Sequence, residues 1–411
     1  MDLIIGAGII GVSTALHLQA RGRNVALFDK NGIGNETSHG NAGLIERTDL
    51  LPRAFPRDMS EILRYALNND SRVRYKIPDI ISLIPFLAHY WRASNPKNIE
   101  KIATAISPLF LDCLKEHEAL AKQAGANNLI KKNGWLHLSR NPADLPKAML
   151  ALERAQAAGM KASILNGDEI AKIEPLLKER FNWGIHWKSS ASITDPSQYV
   201  KKLSDLFIER GGVFIKGDAR NITQAADDGW QIQSDIGNIF AKNIVVALGP
   251  WSESFYKPLG YKIPFAPKRG YHMNYAYKKG VKLKIPIIDA DYGFVLAPMK
   301  GGTRLTSAIE FASINSKATP IQLRKVEPIA QNMLDMGKSQ LDKAWLGARP
   351  CTADMMPVIG KAPKHKGLWF NFAHAHHGLT LGPISGRLLA EEMTGKKPFI
   401  DIKPFSVERF G

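Results

Sequence analysis

The chain has 411 residues, 45% of them hydrophobic and 23% charged, a composition that excludes disordered and fibrous proteins and leaves room for two domains. The two cysteines, Cys113 and Cys351, exclude a disulfide scaffold and, by their spacing, a cysteine-based zinc site. Lys and Arg number 55 against 38 Asp and Glu, a net charge of +17. That excess favours anionic partners in general, but no Lys/Arg run exceeds two residues, so no basic arm is present and no nucleic-acid partner is expected.

The first element is a short apolar strand, Leu3-Ile4-Ile5, that feeds Gly6-Ala7-Gly8-Ile9-Ile10-Gly11. Apolar residues at 12, 15, 16 and 18 then follow helical spacing, and Gly22 suits the helix end. A second strand, Val25 to Phe28, ends at Asp29 and Lys30. Each glycine has a task. Gly6 permits the turn, Gly8 lets the backbone approach a pyrophosphate, and Gly11 lets helix and strand pack closely; the helix N-terminus holds the anion. Asp29 stands about 20 residues on, where a carboxylate accepts from ribose hydroxyls. Strand, loop, helix, strand and acid in this order predict a dinucleotide site. The loop 36–43, with Ser38, Asn41, Ala42 and Gly43, is small and polar enough to bring backbone N–H groups around a second part of a long cofactor.

Residues 52–130 read as mostly helical, with helices over 60–67, 80–91 and 99–124. The apolar stretch Ile80 to Trp91 is expected to be a core helix, with a membrane-surface segment as the alternative. Strands are expected at 135–138 and 184–187, and helices at 146–158, at 168–175 with Asp168 as cap, and at 195–210 behind an Asp195-Pro196 start. A strand at 213–215 and a hairpin around Asp235 and Gly237 follow. Next comes a buried strand from Lys242 that closes on Leu248-Gly249-Pro250-Trp251. Residues 260–312 are strand-like and 320–340 form a helix candidate. The C-terminal block runs Gly347-Ala348-Arg349-Pro350-Cys351-Thr352-Ala353-Asp354-Met355-Met356-Pro357-Val358-Ile359-Gly360. It continues into a strand over 368–372, a histidine-rich turn at 374–383, and a helix that should begin near Pro383.

Four separated segments, 6–29, 38–43, 245–252 and 347–395, resemble the FAD-dependent amine and D-amino-acid oxidoreductases related to D-amino-acid oxidase, and within them the bacterial D-amino-acid dehydrogenase branch. The family pattern G-x-R-P-x-T-x-D-x-x-P-x-I-G is complete here. In the following G-H-G-x-x-G-x-T pattern, alanine stands at both outer glycine positions beside His374.

The resemblance implies an α/β fold: a Rossmann-type FAD-binding domain (1–50, 193–256, 345–411) and a discontinuous, mixed-sheet substrate domain (51–192, 257–344). It implies noncovalent FAD held by Gly6, Gly8, Ile9, Ile10, Gly11, Asp29, Lys30, Ser38, Asn41, Ala42, Gly43, Leu248, Gly249, Trp251, Gly378, Leu379 and Thr380. Cys351 is expected to be a buried free thiol rather than a flavin attachment point. The implied reaction passes hydride from substrate Cα to flavin N5 and yields a 2-oxo acid and ammonia, the flavin carrying the chemistry.

Arg349 would anchor the substrate carboxylate through its planar fork. The alternative is an Arg349–Asp354 ion pair. Tyr271 would add a hydroxyl, with a packed strand aromatic as the alternative, and Arg304 and Tyr292 are weaker candidates. His374 matches the family histidine near the flavin. With His376 and His377 it is read as no metal site, because no carboxylate or cysteine accompanies the three in sequence. Electrons would pass to a quinone or other non-oxygen acceptor, and the protein would be cytoplasmic, with peripheral contact to the inner membrane face. An amine oxidase of glycine or sarcosine, a 2-hydroxy-acid or glycerol-phosphate enzyme, and a tRNA-modifying flavoprotein are the other readings.

Overall fold

The computed structural model describes residues 1–225, 229–234 and 237–411; Asp235, at the expected hairpin turn, lies outside them. The opening strand Asp2–Ile5 is wholly buried and sits in the middle of a six-stranded sheet. The order is Val213–Lys216, Val25–Asp29, Asp2–Ile5, Asn243–Val246, Leu368–Phe372, Val358–Lys361. The first five strands run parallel and the last is an antiparallel edge. A parallel sheet is covered on both faces, and these strands accordingly read as continuous apolar runs. Its parallel strands end where Gly6, Asp29 and Leu248 begin the cavity-lining loops.

The larger sheet has ten strands and mixes parallel with antiparallel pairings. Its spine is Phe265–Ala276, which pairs with Gly302–Thr306 and, over eight residues, with Trp345–Thr352. Two segments depart from the domain division expected from sequence. Trp345–Thr352 belongs to this larger sheet. The helix Pro96–Gln123 packs on the C-terminal helix, in the same core as Ile4, Val12 and Leu16.

Helix boundaries shifted where tertiary contacts overrode local signals. Asn166, not Asp168, caps the helix Gly167–Ile173 in a capping box with Glu169. The candidate at 320–340 is helical only over Ile321–Met333. Beyond it the chain is drawn onto the large sheet, with Ala276 N–H donating to Lys338 O and Gln340 N–H to Asn274 O. The stretch Ile80 to Trp91 lies in the helix Ile77–Ala93, which buries only Leu83, Phe86 and Tyr90 and leaves Ile77, Ile81, Ile84 and Trp91 exposed. It is therefore a half-exposed surface helix and not a core helix.

The first helix, Ile9–Gln19, and the last, Gly378–Met393, touch more extensively than any other pair of elements. Glycines allow it. A Cβ on Gly386 would lie 2.8 Å from Thr14 N, and one on Gly382 2.9 Å from the Ile9 side chain. Gly386→Val should force the helices apart and cost about 1–3 kcal/mol as an overpacked core. It should lower the midpoint of thermal unfolding and weaken FAD binding together; an unchanged midpoint would show that the helices tolerate the wider spacing.

Candidate active site

One cavity of about 2170 Å³ runs from the glycine loop to the large sheet, lined at one end by Gly6, Gly8 and Asp29 and at the other by Arg349 and His374. That is about twice the upper range for a single small ligand.

At the first end the glycines are sterically required. Gly6 has φ +104°, and a Cβ there would lie 2.3 Å from Ala247 O; one on Gly11 would lie 1.8 Å from Gly6 O. Asp29 closes the loop, accepting from Ala7 N–H at 2.9 Å and Asn31 N–H at 2.8 Å. Ser38 Oγ accepts from Ile9 N–H at 3.0 Å, at the helix N-terminus, and keeps its own proton for an anion. Ile10, Ala42, Leu248, Gly249 and Trp251 also line the cavity. Asn41 and Gly43 shape the second loop: Asn41 Oδ1 accepts from Gly43 N–H, and Gly43 has φ +80° with Ile193 O in the place of a Cβ. Lys30 also lines the cavity and pairs there with Asp218 at 3.0 Å.

The last helix begins at Gly378, five residues before the expected start at Pro383. Proline deprives Leu379 O of its helical donor. His117 replaces that donor: its Nε2 lies 2.8 Å from Leu379 O and 3.2 Å from Thr380 O, while Nδ1 meets Tyr199 OH at 2.9 Å. Burial lowers the His117 pKa to about 4, so the ring is neutral and donates one proton at Nε2. Gly378, Leu379 and Thr380 thus form the first turn. Thr380 Oγ1 donates to Leu44 O and accepts from Glu46 N–H.

At the other end, the period-two alternation of Phe265–Ala276 sorts the side chains. Lys268 is paired directly with Arg349 across the strands, so the two share a face with Gly270 and His272. Arg269 and Tyr271 occupy the opposite face. There Arg269 forms a buried ion pair with Glu310 at 2.8 Å, and Tyr271 OH donates to Glu310 at 2.8 Å while accepting from Arg269 and from Thr319 N–H. The Tyr271 hydroxyl therefore has no proton left for a substrate.

Arg349 is different. Its Nη1 donates to Ala308 O at 3.1 Å, and among the described residues no carboxylate lies within ion-pair distance. Asp354, its expected alternative partner, pairs with Arg409 at 2.8 Å. Burial lowers the pKa of Arg349. Gly270 leaves it room, since a Cβ there would meet Nη1 at 2.7 Å and the guanidinium would have to shift.

His374 is buried, its Nε2 has no partner, and burial brings its pKa to about 3. The alanines on either side, Ala373 and Ala375, hold φ +66° and +50°, the left-handed backbone that glycine adopts without strain and alanine does not. Cys351 is a buried free thiol whose pKa burial raises.

The sequence offered His376 and His377 no acidic partner; the fold supplies two. Asp49 Oδ2 lies 2.9 Å from His377 Nε2 and 3.4 Å from His376 Nε2, and Glu46 Oε2 is 3.8 Å from His377. The four ligand-type atoms gather within 4.8 Å. Arg53 Nη2, 3.4 Å from the same Asp49 oxygen, adds a cation to the cluster. Burial alone would raise Asp49, but Arg53 and the two histidines hold it well below the usual carboxylate range, whereas burial pushes Glu46 up. Arg304 likewise proves to be a positioning residue: it donates to Asn274 Oδ1, His39 O and Asn41 O and so pins the second loop. Tyr292 contributes a ring beside Arg140, on the surface.

The family pattern described as DAO, FAD dependent oxidoreductase, matches residues 3–392. This chain belongs to that family. The D-amino-acid oxidase of Bradyrhizobium diazoefficiens is 27% identical over 420 residues, covering 99% of this chain and 98% of that protein. Glycine oxidase from Geobacillus kaustophilus superposes with a TM-score of 0.77 at 18% identity, covering 99% and 97% of the two chains. L-Proline dehydrogenase from P. horikoshii gives 0.74 at 17%, covering 100% and 97%.

The cofactor is FAD, and the site fits it. The glycine loop leaves space that any Cβ would fill, and the hydroxyl of Ser38 stands at a helix N-terminus suited to phosphate. Ser38→Ala should weaken FAD binding by about 1.5 kcal/mol or more, roughly tenfold, the value of a hydrogen bond to a charged group. Titration of apoprotein with FAD, followed by flavin fluorescence, measures it; an unchanged dissociation constant removes Ser38 from the cofactor site.

Proposed function

We propose that the protein oxidatively deaminates D-amino acids, giving a 2-oxo acid and ammonia, and hands the electrons to a quinone or another non-oxygen acceptor. The observation that carries this reading is the guanidinium of Arg349, half-buried in the cavity wall, which has no carboxylate within ion-pair distance among the described residues. A cation drawn partly out of water without an anion is costly, and a substrate carboxylate completes it. The curated relative named D-amino-acid oxidase supports the substrate class.

FAD, bound noncovalently, supplies the hydride acceptor. The protein's part is positioning. Arg349 receives the carboxylate as a bidentate fork and fixes the plane of the substrate. The last helix presents its N-terminal turn, Gly378 to Thr380, where negative charge is stabilised. Neutral His374 and the ion-pair cluster of Asp49 border the same space. Holding the Cα–H within about 3–3.5 Å of its acceptor is the main contribution that the protein can make.

Arg349→Lys should retain FAD but lose about 2–5 kcal/mol of transition-state binding, roughly 30- to 5000-fold. Lysine keeps the charge but not the two parallel donors. Anaerobic flavin reduction by D- and L-amino acids, glycine, sarcosine and 2-hydroxy acids tests both reaction and residue. Reduction by a 2-hydroxy acid alone, or rapid oxygen consumption on turnover, would assign a different enzyme. A variant within about threefold of wild type makes Arg349 structural.

The acceptor reading also predicts a membrane face. No helix among the described residues is long and apolar enough to cross a membrane. The helix Met59–Ala66 buries no residue, yet Met59, Leu63 and Leu67 form a stripe 64–73% exposed. The helix Ile77–Ala93 adds Ile77, Ile81, Ile84 and Trp91. Arg57 lies over the Trp91 ring and Asn68 bonds Tyr75 O, so the residues that flank the first helix are tied to both ends of the second. Arg57, Arg64, Lys76 and Arg92 fringe them, and apolar residues ringed by cations suit an anionic bilayer surface. Leu63→Glu/Ile81→Glu should abolish sedimentation with anionic vesicles at low salt. No sedimentation of the wild type refutes the membrane face, and dimerisation lost in the variant would assign it to a second copy.

A further inference from the structure

Lys268 is a second cation on the cavity wall, beside Arg349, and is the more buried of the two. Only 4% of it is exposed. Its ammonium has no carboxylate within ion-pair distance among the described residues. It meets Met355 Sδ at 3.5 Å and lies over the rings of Tyr90, 4.1 Å from the centroid, and Phe311, at 5.5 Å. Met355 reaches it from a left-handed backbone, φ +60°, a conformation that persists in a non-glycine residue only where the surroundings impose it.

Lys268 and Arg349 are direct cross-strand partners. Like charges in that relation repel, and the two side chains diverge. Arg349 crosses Gly270 toward Ala308 O, while Lys268 turns into the Tyr90–Phe311–Met355 recess. Both line the same cavity. The ion pairs that neutralise other cations nearby are closed without them: Arg269 with Glu310, Arg53 with Asp49, Arg409 with Asp354. Two adjacent cations on one cavity wall, one buried and one half-buried, with no carboxylate within ion-pair distance among the described residues, call for two anionic groups on one molecule.

We propose that Lys268 binds the side-chain carboxylate of the substrate while Arg349 holds the α-carboxylate, so that the preferred substrates are acidic amino acids of the aspartate and glutamate class. This rests on the amino-acid oxidation proposed above. The aromatic recess strengthens the ammonium by cation–π attraction and excludes water, which sharpens discrimination against neutral side chains.

The test is anaerobic flavin reduction by D-glutamate and D-aspartate against D-glutamine and D-asparagine, in the wild type and in Lys268→Met. The wild type should favour the acids over their amides by about tenfold or more in the ratio of reduction rate to apparent dissociation constant. Lys268→Met should lose about 30-fold on the acids, the low end for removing one partner of a buried charge pair, and stay within about threefold on the amides, with FAD affinity unchanged. Equal use of acids and amides by the wild type, or an equal loss on both in the variant, overturns the proposal. Binding of non-oxidisable glutarate and butyrate, read from the flavin spectrum, separates the two levels of inference. If no amino acid reduces the flavin but glutarate binds more tightly than butyrate only when Lys268 is present, amino-acid oxidation fails and the two-anion site stands. If glutarate shows no advantage, the site itself is refuted.

Discussion

The close contact between the first and last helices is the constraint on which the site depends. Both helices begin at the cavity, one at Ile9 and the other at Gly378, although they stand at opposite ends of the chain. Their approach is possible only because Gly382 and Gly386 present no side chain to Ile9, Ser13 and Thr14. One N-terminus then stands beside Ser38 and the other beside Thr380 and Glu46, so two partial positive ends serve one long ligand. His117 completes the arrangement by taking Leu379 O, the carbonyl that Pro383 strands. A proline within the helix is tolerated because a neutral, buried imidazole from another helix replaces the missing donor.

The net charge of +17 gains a specific meaning from the fold. Most cations are solvated or paired, but buried Lys268 and half-buried Arg349 have no carboxylate within ion-pair distance among the described residues. Arg269, one residue from Lys268, faces the other side of the sheet and is fully paired with Glu310. The pleat thus divides three basic residues, Arg269 into an ion pair behind the sheet and Lys268 and Arg349 onto the cavity face. Charges that have no internal anion keep a standing preference for an anionic ligand, whereas paired ones have none.

The nucleotide end was legible in the sequence because its signals are local. The strand, the glycine loop, the helix and Asp29 lie within thirty residues, and each glycine answers a short-range steric need. Arg349 was legible through its motif. The remainder depended on distance and on facing. Asp49 and His377 are 328 residues apart, so the histidines looked isolated. Tyr271 was expected to offer a hydroxyl to the substrate carboxylate, but strand alternation puts its side chain on the face of Arg269, where Glu310 takes its proton. Pro383 marked a helix start only because the partner of Leu379 O, His117, was 262 positions away. The same limit hid Arg304, whose hydrogen bonds to His39 O and Asn41 O cross from one sheet to the other loop.

The departure from the family's glycines beside His374 connects these points. Ala373 and Ala375 adopt the positive φ that glycine would take at little cost, and left-handed backbone at non-glycine residues stores about 1–3 kcal/mol each. That strain must be offset by what the turn holds in place. His374 lies between the two alanines, buried, and the next residues, His376 and His377, are gripped by Asp49. Asp49 in turn is tied to Arg53, whose carbonyl accepts from the hydroxyl of Tyr90, the ring beneath Lys268. One chain of contacts therefore runs from the strained turn around His374 to Lys268, both of which line the cavity. The strain is tolerable because the ion-pair cluster anchors the turn, and the cluster in turn sets the position of the aromatic recess that receives the lysine.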